Sequence, residues 1–377
     1  MRSLGKIALL TAAMAVFGAA EAGHEPPVYP SYYPQEIRIE TIEPQAAGQA
    51  LSEGRIQAYF GPVSPFPTGA GTSLNFVESL TSFLVVRINP DSSLATDDEG
   101  RCRLAASVVS ALAGDDGFRV HPYPVTPLHA DYLHHFDLAA QAQARFAKPL
   151  AARGEELNVR SAGALADRIV RLRWTPAAGE WDVSVEEIGL DDLIAGVRFN
   201  FNGWMGPPWL KQGWFHAYLL LAPALVDTEL KSRAEAIIAR LEGGGHESPE
   251  ERINLERQLL KLLTGDCQTV VAGYALRRWH YSDDYSSGVE NIGFDSQAGF
   301  NSAIFIRTVK LKDFPWNGWL TLGIAEQPSA AWNPLGGFTD DNGRLIWLTL
   351  GDPALFPEPY DARWMVNRIG EVTSGTR

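Results

Sequence analysis

Four histidines, His121, His129, His134 and His135, crowd into one short span of a chain that holds 8 histidines in 377 residues. Thr126-Pro127 reads as a helix start, with Thr126 at the N-cap and Pro127 at the first helical position. Such a helix, predicted to run to about Phe146, would put Asp131, His134 and His135 on one face, because positions three and four apart are neighbours. His129 would turn away with Tyr132, Leu133 and Phe136. One carboxylate and two imidazoles are suitable donors for Zn²⁺ or Cu²⁺, and His121, His216 or His280 are candidates to complete the shell. The spacing is not that of H-E-x-x-H. The plainer reading is a polar helix face on which Asp131 hydrogen-bonds a histidine, with His129 a satisfied core residue. A second acidic set, Asp283, Asp284, Glu290 and Asp295, lies in the Gly/Ser-rich stretch Ser282–Gly299. Hard oxygen donors on a flexible loop suit Ca²⁺, although the pattern is not that of an EF-hand, and a solvated loop is the competing reading.

The aromatic residues carry a different chemistry. Of 11 Trp, Trp204, Trp209 and Trp214 fall in the Gly/Pro-punctuated stretch Asn202–Trp214. Trp316, Asn317, Trp319, Trp332 and Asn333 fall in another. Flat apolar faces beside hydrogen-bonding groups are what ligand pockets combine. A sugar, an aromatic compound or a quaternary amine would each fit, the last by cation–π attraction. The alternative for each Trp is a place over the core with its indole N–H bonded to backbone. These eight residues are the expected ligand contacts if the two stretches line one cleft.

Catalytic motifs are missing. No G-x-S-x-G, G-x-x-x-x-G-K-[ST] or helix-opening G-x-G-x-x-G occurs, so the chain is expected to bind a molecule without transforming it, and no cofactor is expected outside the two metal candidates. A net charge of -13, from 32 basic and 45 acidic residues, argues against nucleic acid as a partner.

The chain opens with Arg2 and Lys6, the apolar stretch Ile7–Gly18 and Ala20-Glu21-Ala22, the pattern of a cleaved secretory signal over residues 1–22. The mature chain is then expected in the periplasm or secreted, with no transmembrane segment. The apolar run Ala217–Val226 is too short to span and is broken by Pro223. In an oxidising compartment Cys102 and Cys267, the only cysteines, are expected to pair; two buried thiols are the alternative.

The elements that must position these groups alternate along the chain. Strands are predicted at Glu36–Ile42, Ile56–Phe60 and Phe83–Ile88, from alternation or apolar runs. A helix is predicted over Ala46–Glu53, ended by Gly54, and another over Arg103–Ala113. Ile169–Trp174 and Trp181–Val185 read as strands. Thr228 caps one helix and Ser248-Pro249 with Glu251 caps the next. Ile304–Leu311 reads as a strand, and Asn342-Gly343 as a hairpin turn. The expected division is residues 23–125 as an N-terminal α/β lobe, 126–280 as a helix-rich second lobe, and 281–377 as an aromatic Gly/Pro-rich region packed on both.

The stretch Glu36–Gly61 reads strand, helix, then Leu51-Ser52-Glu53-Gly54-Arg55-Ile56-Gln57-Ala58-Tyr59. With Phe83–Arg87 it resembles the opening of bacterial periplasmic solute-binding proteins. That resemblance implies a two-lobed mixed α/β fold closing on a ligand, and a partner in an ABC-type membrane transporter. The leading expectation is therefore an exported ligand-binding protein. The alternatives are a secreted metal-dependent enzyme using Asp131, His134 and His135, and an accessory protein of an envelope complex.

Overall fold

A computed structural model describes residues 34–63, 73–147, 157–177, 179–199, 207–313, 318–328, 340–350, 355–359 and 363–366. Its organising element is a strand buried on both faces. Strands β1 (Glu36–Thr41), β2 (Ala58–Phe60), β3 (Leu74–Ile88), β4 (Phe118–Val120), β5 (Val159–Ala162), β6 (Val183–Gly189) and β7 (Thr269–Ser282) join β10 (Trp319–Ile324) in one sheet. The order is β1-β10-β2-β7-β3-β6-β5, with β4 also on β7. β1, β10 and β2 run parallel, as do β5 and β6. The central pairings β2/β7, β7/β3 and β3/β6 are antiparallel. Two short ribbons lie apart, β8 (Val289–Glu290) with β9 (Lys310–Leu311) and β11 (Leu355–Pro357) with β12 (Trp364–Val366).

The helices are α1 (Pro44–Ser52), α2 (Asp98–Ala111), α3 (Tyr132–Phe146), α4 (Ala164–Arg171), α5 (Leu190–Phe199), α6 (Gly213–Leu221), α7 (Thr228–Glu242), α8 (Pro249–Leu263), α9 (Ala303–Thr308) and α10 (Asp341–Leu350). The fold is mixed α/β. Successive side chains of a strand point to opposite faces, so Phe83 and Val85 go one way and Leu84, Val86 and Ile88 the other. Phe83 and Val85 meet Leu190, Trp214, Phe215, Ile238 and Leu259 from α5 to α8. Leu84, Val86 and Ile88 meet Val108, Val109, Ile169 and Val170 from α2 and α4. Burial on both faces explains the unbroken apolar run Phe83–Val86. A third core lies where Phe60, Trp279, Phe300, Phe305 and Leu322 pack together. There Gly299 (φ +58°) lies so close to Trp279 that a Cβ would run into the indole nitrogen.

The disulfide is present: Cys102 on α2 joins Cys267, which follows α8, across 165 residues. Gly54 stands just past α1 with φ +68°, the left-handed position expected of a helix-ending glycine. Strands of the main sheet come from all three stretches of the expected division, and β7 runs across residue 280.

Four local expectations are corrected. α3 starts at Tyr132, not at Thr126; the Thr126 N–H donates to His129 Nδ1 at 2.8 Å and closes a turn there instead. Ile169–Trp174 is not a strand: Leu165, Ala166, Ile169 and Val170 form one buried helical face of α4. Ile304–Leu311 is mostly the helix α9, buried along its whole length, which masks any amphipathic period. Asn342-Gly343 opens α10 and is not a hairpin turn, because Asp340 Oδ1 accepts from the Gly343 N–H at 2.9 Å and caps a helix.

Candidate functional site

α3, α6 and α8 stack over the Phe83 face of the sheet, and polar groups meet where they join. Asp131 precedes α3, yet it does not cap that helix. Its carboxylate reaches the start of α6, accepting from the Gly213 N–H at 2.8 Å and the Trp214 N–H at 3.1 Å. The first N–H groups of a helix have no partner within the helix, so a carboxylate from outside satisfies them and meets the positive end of the dipole. His135, in the first turn of α3, is fully buried. Glu256 comes from α8, in the middle of the stripe that buries Leu255, Leu259, Leu260 and Leu263, and it too is fully buried.

His135 Nε2 lies 3.7 Å from Asp131 Oδ2 and 3.7 Å from Glu256 Oε2. His134 Nδ1 lies 3.6 Å from the same Glu256 oxygen. Among the described residues, Asp131, His135 and Glu256 are one group whose ligand atoms all fall within 4.8 Å of one another. The other Glu256 oxygen is taken by Arg252 at 2.6 Å. Desolvation pushes both carboxyls above their usual range and His135 below its own, since burial disfavours each charged form. Arg257 braces the site from outside, binding Asp137 bidentately at 2.7 and 2.6 Å and so tying α8 to α3.

The other histidines form a separate, satisfied chain. The Thr126 N–H occupies His129 Nδ1, so His129 Nε2 carries the proton and donates to His216 Nδ1 at 2.9 Å. His216 Nε2 then donates to the Leu210 carbonyl at 2.7 Å. His121 Nε2 donates to the Val125 carbonyl at 2.9 Å, leaving Nδ1 to accept from Gln143 at 3.2 Å. Both His129 and His121 are held neutral, foremost by desolvation. As expected, His129 is a satisfied core histidine, and none of His121, His216 and His280 joins the Asp131 group.

Beside this junction a cleft of about 300 Å³ opens between α3, the Pro122–Pro124 segment, the end of α8 and the start of β7. Leu138, Phe146 and Val271 give it apolar walls; Tyr123, Arg145 and Lys261 bring polar groups. The Arg145 guanidinium also contacts Cys102 Sγ at 2.6 Å, and Cys267 lies between two lining residues, Gly265 and Thr269, so the disulfide backs one wall.

Of the expected aromatic contacts, Trp204, Trp316, Asn317, Trp332 and Asn333 lie outside the described residues. Trp214 is 1% exposed in the core above Phe83, its indole N–H bonded to the Gln212 side chain. Trp209 is half-buried, its ring 6.3 Å from that of Trp214. Trp319 begins β10 and is 73% exposed. None of these three lines the cleft. The acidic loop does not gather into a cage, which corrects the Ca²⁺ expectation. Asp283 pairs with Lys312, Glu290 with Lys310 and Asp295 with Lys211. Asp284 Oδ1 accepts from Ser286 and Ser287, which pulls its carboxyl down to about 2.

Glu256 was not among the residues singled out from sequence, being 121 positions from His135. A signal existed: a carboxylate inside the leucine stripe of an amphipathic helix is a buried charge in search of a partner.

No family model matches the chain, and no curated protein matches it. Solved structures similar to it include HbpA2 from Haemophilus parasuis, at TM-score 0.40 and 12% identity over 72% of this chain and 57% of that one. The oligopeptide-binding protein AppA from Bacillus subtilis, solved with a nonapeptide, is similar at 0.38 and 12%, over 72% and 59%. The ABC transporter-associated periplasmic binding protein DppA from Helicobacter pylori, solved with the peptide STSA, is similar at 0.36 and 11%, over 71% and 55%. The chain spans less than three fifths of the length of each.

Proposed function

We propose that this is an exported protein that binds a small anionic molecule in the cleft between α3, α8 and β7 and delivers it to a membrane transporter. The observation that carries the reading is the cleft itself. Its volume of about 300 Å³ is within the range of small-molecule sites, and its apolar walls with a few polar groups are their usual lining. Arg145 and Lys261 are the ionic groups among the lining residues, so a carboxylate, phosphate or sulfonate finds two cations on a chain whose net charge is -13. Export is supported by the Arg2/Lys6, Ile7–Gly18 and Ala20-Glu21-Ala22 pattern. The transporter is the partner implied by the resemblance of Glu36–Gly61 to solute-binding proteins.

A thermal-shift screen of small carboxylates, phosphates and short peptides against neutral sugars and amines tests this. A ligand at a hundredfold its Kd stabilises the native state by about 2.7 kcal/mol, so an anionic hit raises Tm clearly. That shift disappears in Arg145→Glu and Lys261→Glu. A screen in which no anion raises Tm, or in which the double charge reversal leaves the shift intact, refutes the site.

A further inference from the structure

We propose that Asp131, His135 and Glu256 bind one divalent transition-metal ion, Zn²⁺ by the chemistry of the donors, at the buried junction of α3, α6 and α8. The proposal is independent of the ligand cleft and stands or falls on its own measurement.

Distance is the first argument. His135 Nε2 stands 3.7 Å from Asp131 Oδ2 and 3.7 Å from Glu256 Oε2, and His134 Nδ1 stands 3.6 Å from Glu256 Oε2, each too long for a hydrogen bond. They are the separations of atoms sharing an ion: bonds of about 2.0–2.2 Å to imidazole nitrogen and carboxylate oxygen set ligand atoms about 3.3–3.8 Å apart in tetrahedral or trigonal geometry. A water held by hydrogen bonds of about 2.8 Å in tetrahedral directions would spread the same atoms to about 4.6 Å.

The second argument is satisfaction. His135 Nδ1 and Nε2, Glu256 Oε2 and His134 Nδ1 are buried and have no hydrogen-bond partner. Such groups are rare in folded proteins and each costs free energy unless something fills it. Here His135 Nε2, Glu256 Oε2 and His134 Nδ1 converge, with His135 Nδ1 on the far side of its ring, and the side chains of His135 and Glu256 are wholly buried. Their carriers are already oriented. The α6 N–H groups fix both oxygens of Asp131 and Arg252 fixes Glu256 Oε1, which leaves Glu256 Oε2 and a second lone pair on Asp131 Oδ2 for a cation. Ligand carboxylates held in this way by outer partners are a feature of metal sites.

The third argument is charge and donor type. Two buried carboxylates within 4.8 Å repel, and a divalent cation between them removes that cost. Imidazole with two carboxylates suits Zn²⁺, whereas Ca²⁺ and Mg²⁺ take oxygen alone. His134 Nδ1 is a further donor at the edge, where its side chain is one-third exposed.

The test is metal analysis of the full-length mature protein, made without a polyhistidine tag and purified without chelator. Mass spectrometry with an inductively coupled plasma is expected to find stoichiometric Zn²⁺, abolished in Glu256→Gln and His135→Ala and retained with weaker affinity in His134→Ala. A folding failure in those variants does not decide the matter, because wild-type protein gives a second readout. After chelation its Tm is expected to fall and to recover with Zn²⁺ but not with Mg²⁺, and Co²⁺ substitution is expected to give the intense visible bands of a four-coordinate site. Metal-free wild-type protein whose Tm ignores added Zn²⁺ and Co²⁺ overturns the proposal. So does full metal content in folded Glu256→Gln, and so does stoichiometric binding of another metal in preference to Zn²⁺.

Discussion

Replacing Asp131 with Ala removes the acceptor for two buried backbone N–H groups, those of Gly213 and Trp214. Each is left without a partner, since neither can be satisfied inside α6, and an unpaired buried donor costs about 1–3 kcal/mol. The carboxylate also faces the positive end of the α6 dipole, worth up to about 2 kcal/mol when partly buried. Against these, burying the charge was itself unfavourable, as the raised carboxyl of Asp131 shows. The balance is a loss of about 3–5 kcal/mol. Asp131→Asn keeps one acceptor oxygen and presents an NH₂ to the other donor, so it should lose roughly half as much. Urea unfolding in excess chelator, followed by tryptophan fluorescence, isolates this effect from any metal. Trp214 is the second residue of α6 and is a built-in reporter of its first turn. Midpoints that shift while m stays constant show a change in stability and not in the unfolded state. A loss below about 1 kcal/mol for Asp131→Ala would refute the claim that this carboxylate organises the start of α6.

Two further outcomes follow. Reducing the Cys102–Cys267 bridge, or replacing both cysteines with Ala, frees a loop of 165 residues and should lower stability by up to about 5 kcal/mol on the chain-entropy model, read as a fall in Tm. An unchanged Tm under reductant, with the bridge confirmed by non-reducing peptide mapping, would contradict it. Stability should also fall on acidification. Desolvation first, and Arg278 second, depress His280 from 6.5 to about 4. The unfolded chain therefore takes up a proton near pH 6.5 that the folded chain refuses until about pH 4. The stabilisation is complete above pH 6.5 and is lost across that window, by about 3 kcal/mol. His280→Asn should flatten the Tm profile between those limits; an unaltered slope would rule His280 out.

How much was legible depended on whether the signal was local. The capping residues of α8, Ser248 and Glu251, are three positions apart, and the structure makes half of that box, the Glu251 N–H donating to Ser248 Oγ at 3.1 Å, while the Glu251 carboxylate accepts from the Glu247 N–H at 2.7 Å. Gly54 and the Phe83–Ile88 run were equally local. The first half of β3 was not: Leu74–Ser82 is mixed in polarity and is held as strand by pairing with β7 about two hundred residues away. Asp131 and His135 were visible as a metal-type pair, but their partner Glu256 and the α6 N–H groups come from other elements, which no spacing rule reaches. His134, grouped with them from helix periodicity, does face Glu256, because α3 begins in time to carry it there. The Trp-rich stretches were the least legible. Indoles seal cores and line pockets with the same apolar face, and Trp214 does the former.

The marriage of β3 to β7 at the centre of the sheet also governs when this chain can fold. Glu78 meets Arg278 only after two hundred intervening residues exist. At synthesis rates of about 5–20 residues per second that is roughly 10–40 seconds during which the β7 edge of β3 stays open, while its other edge has β6 to pair with. Closing so long a loop is entropically slow, and an unpaired apolar strand invites aggregation. Such a topology delays completion of the central sheet until β7 has been made, so the order of synthesis leaves one edge of Phe83–Ile88 open until its distant mate arrives.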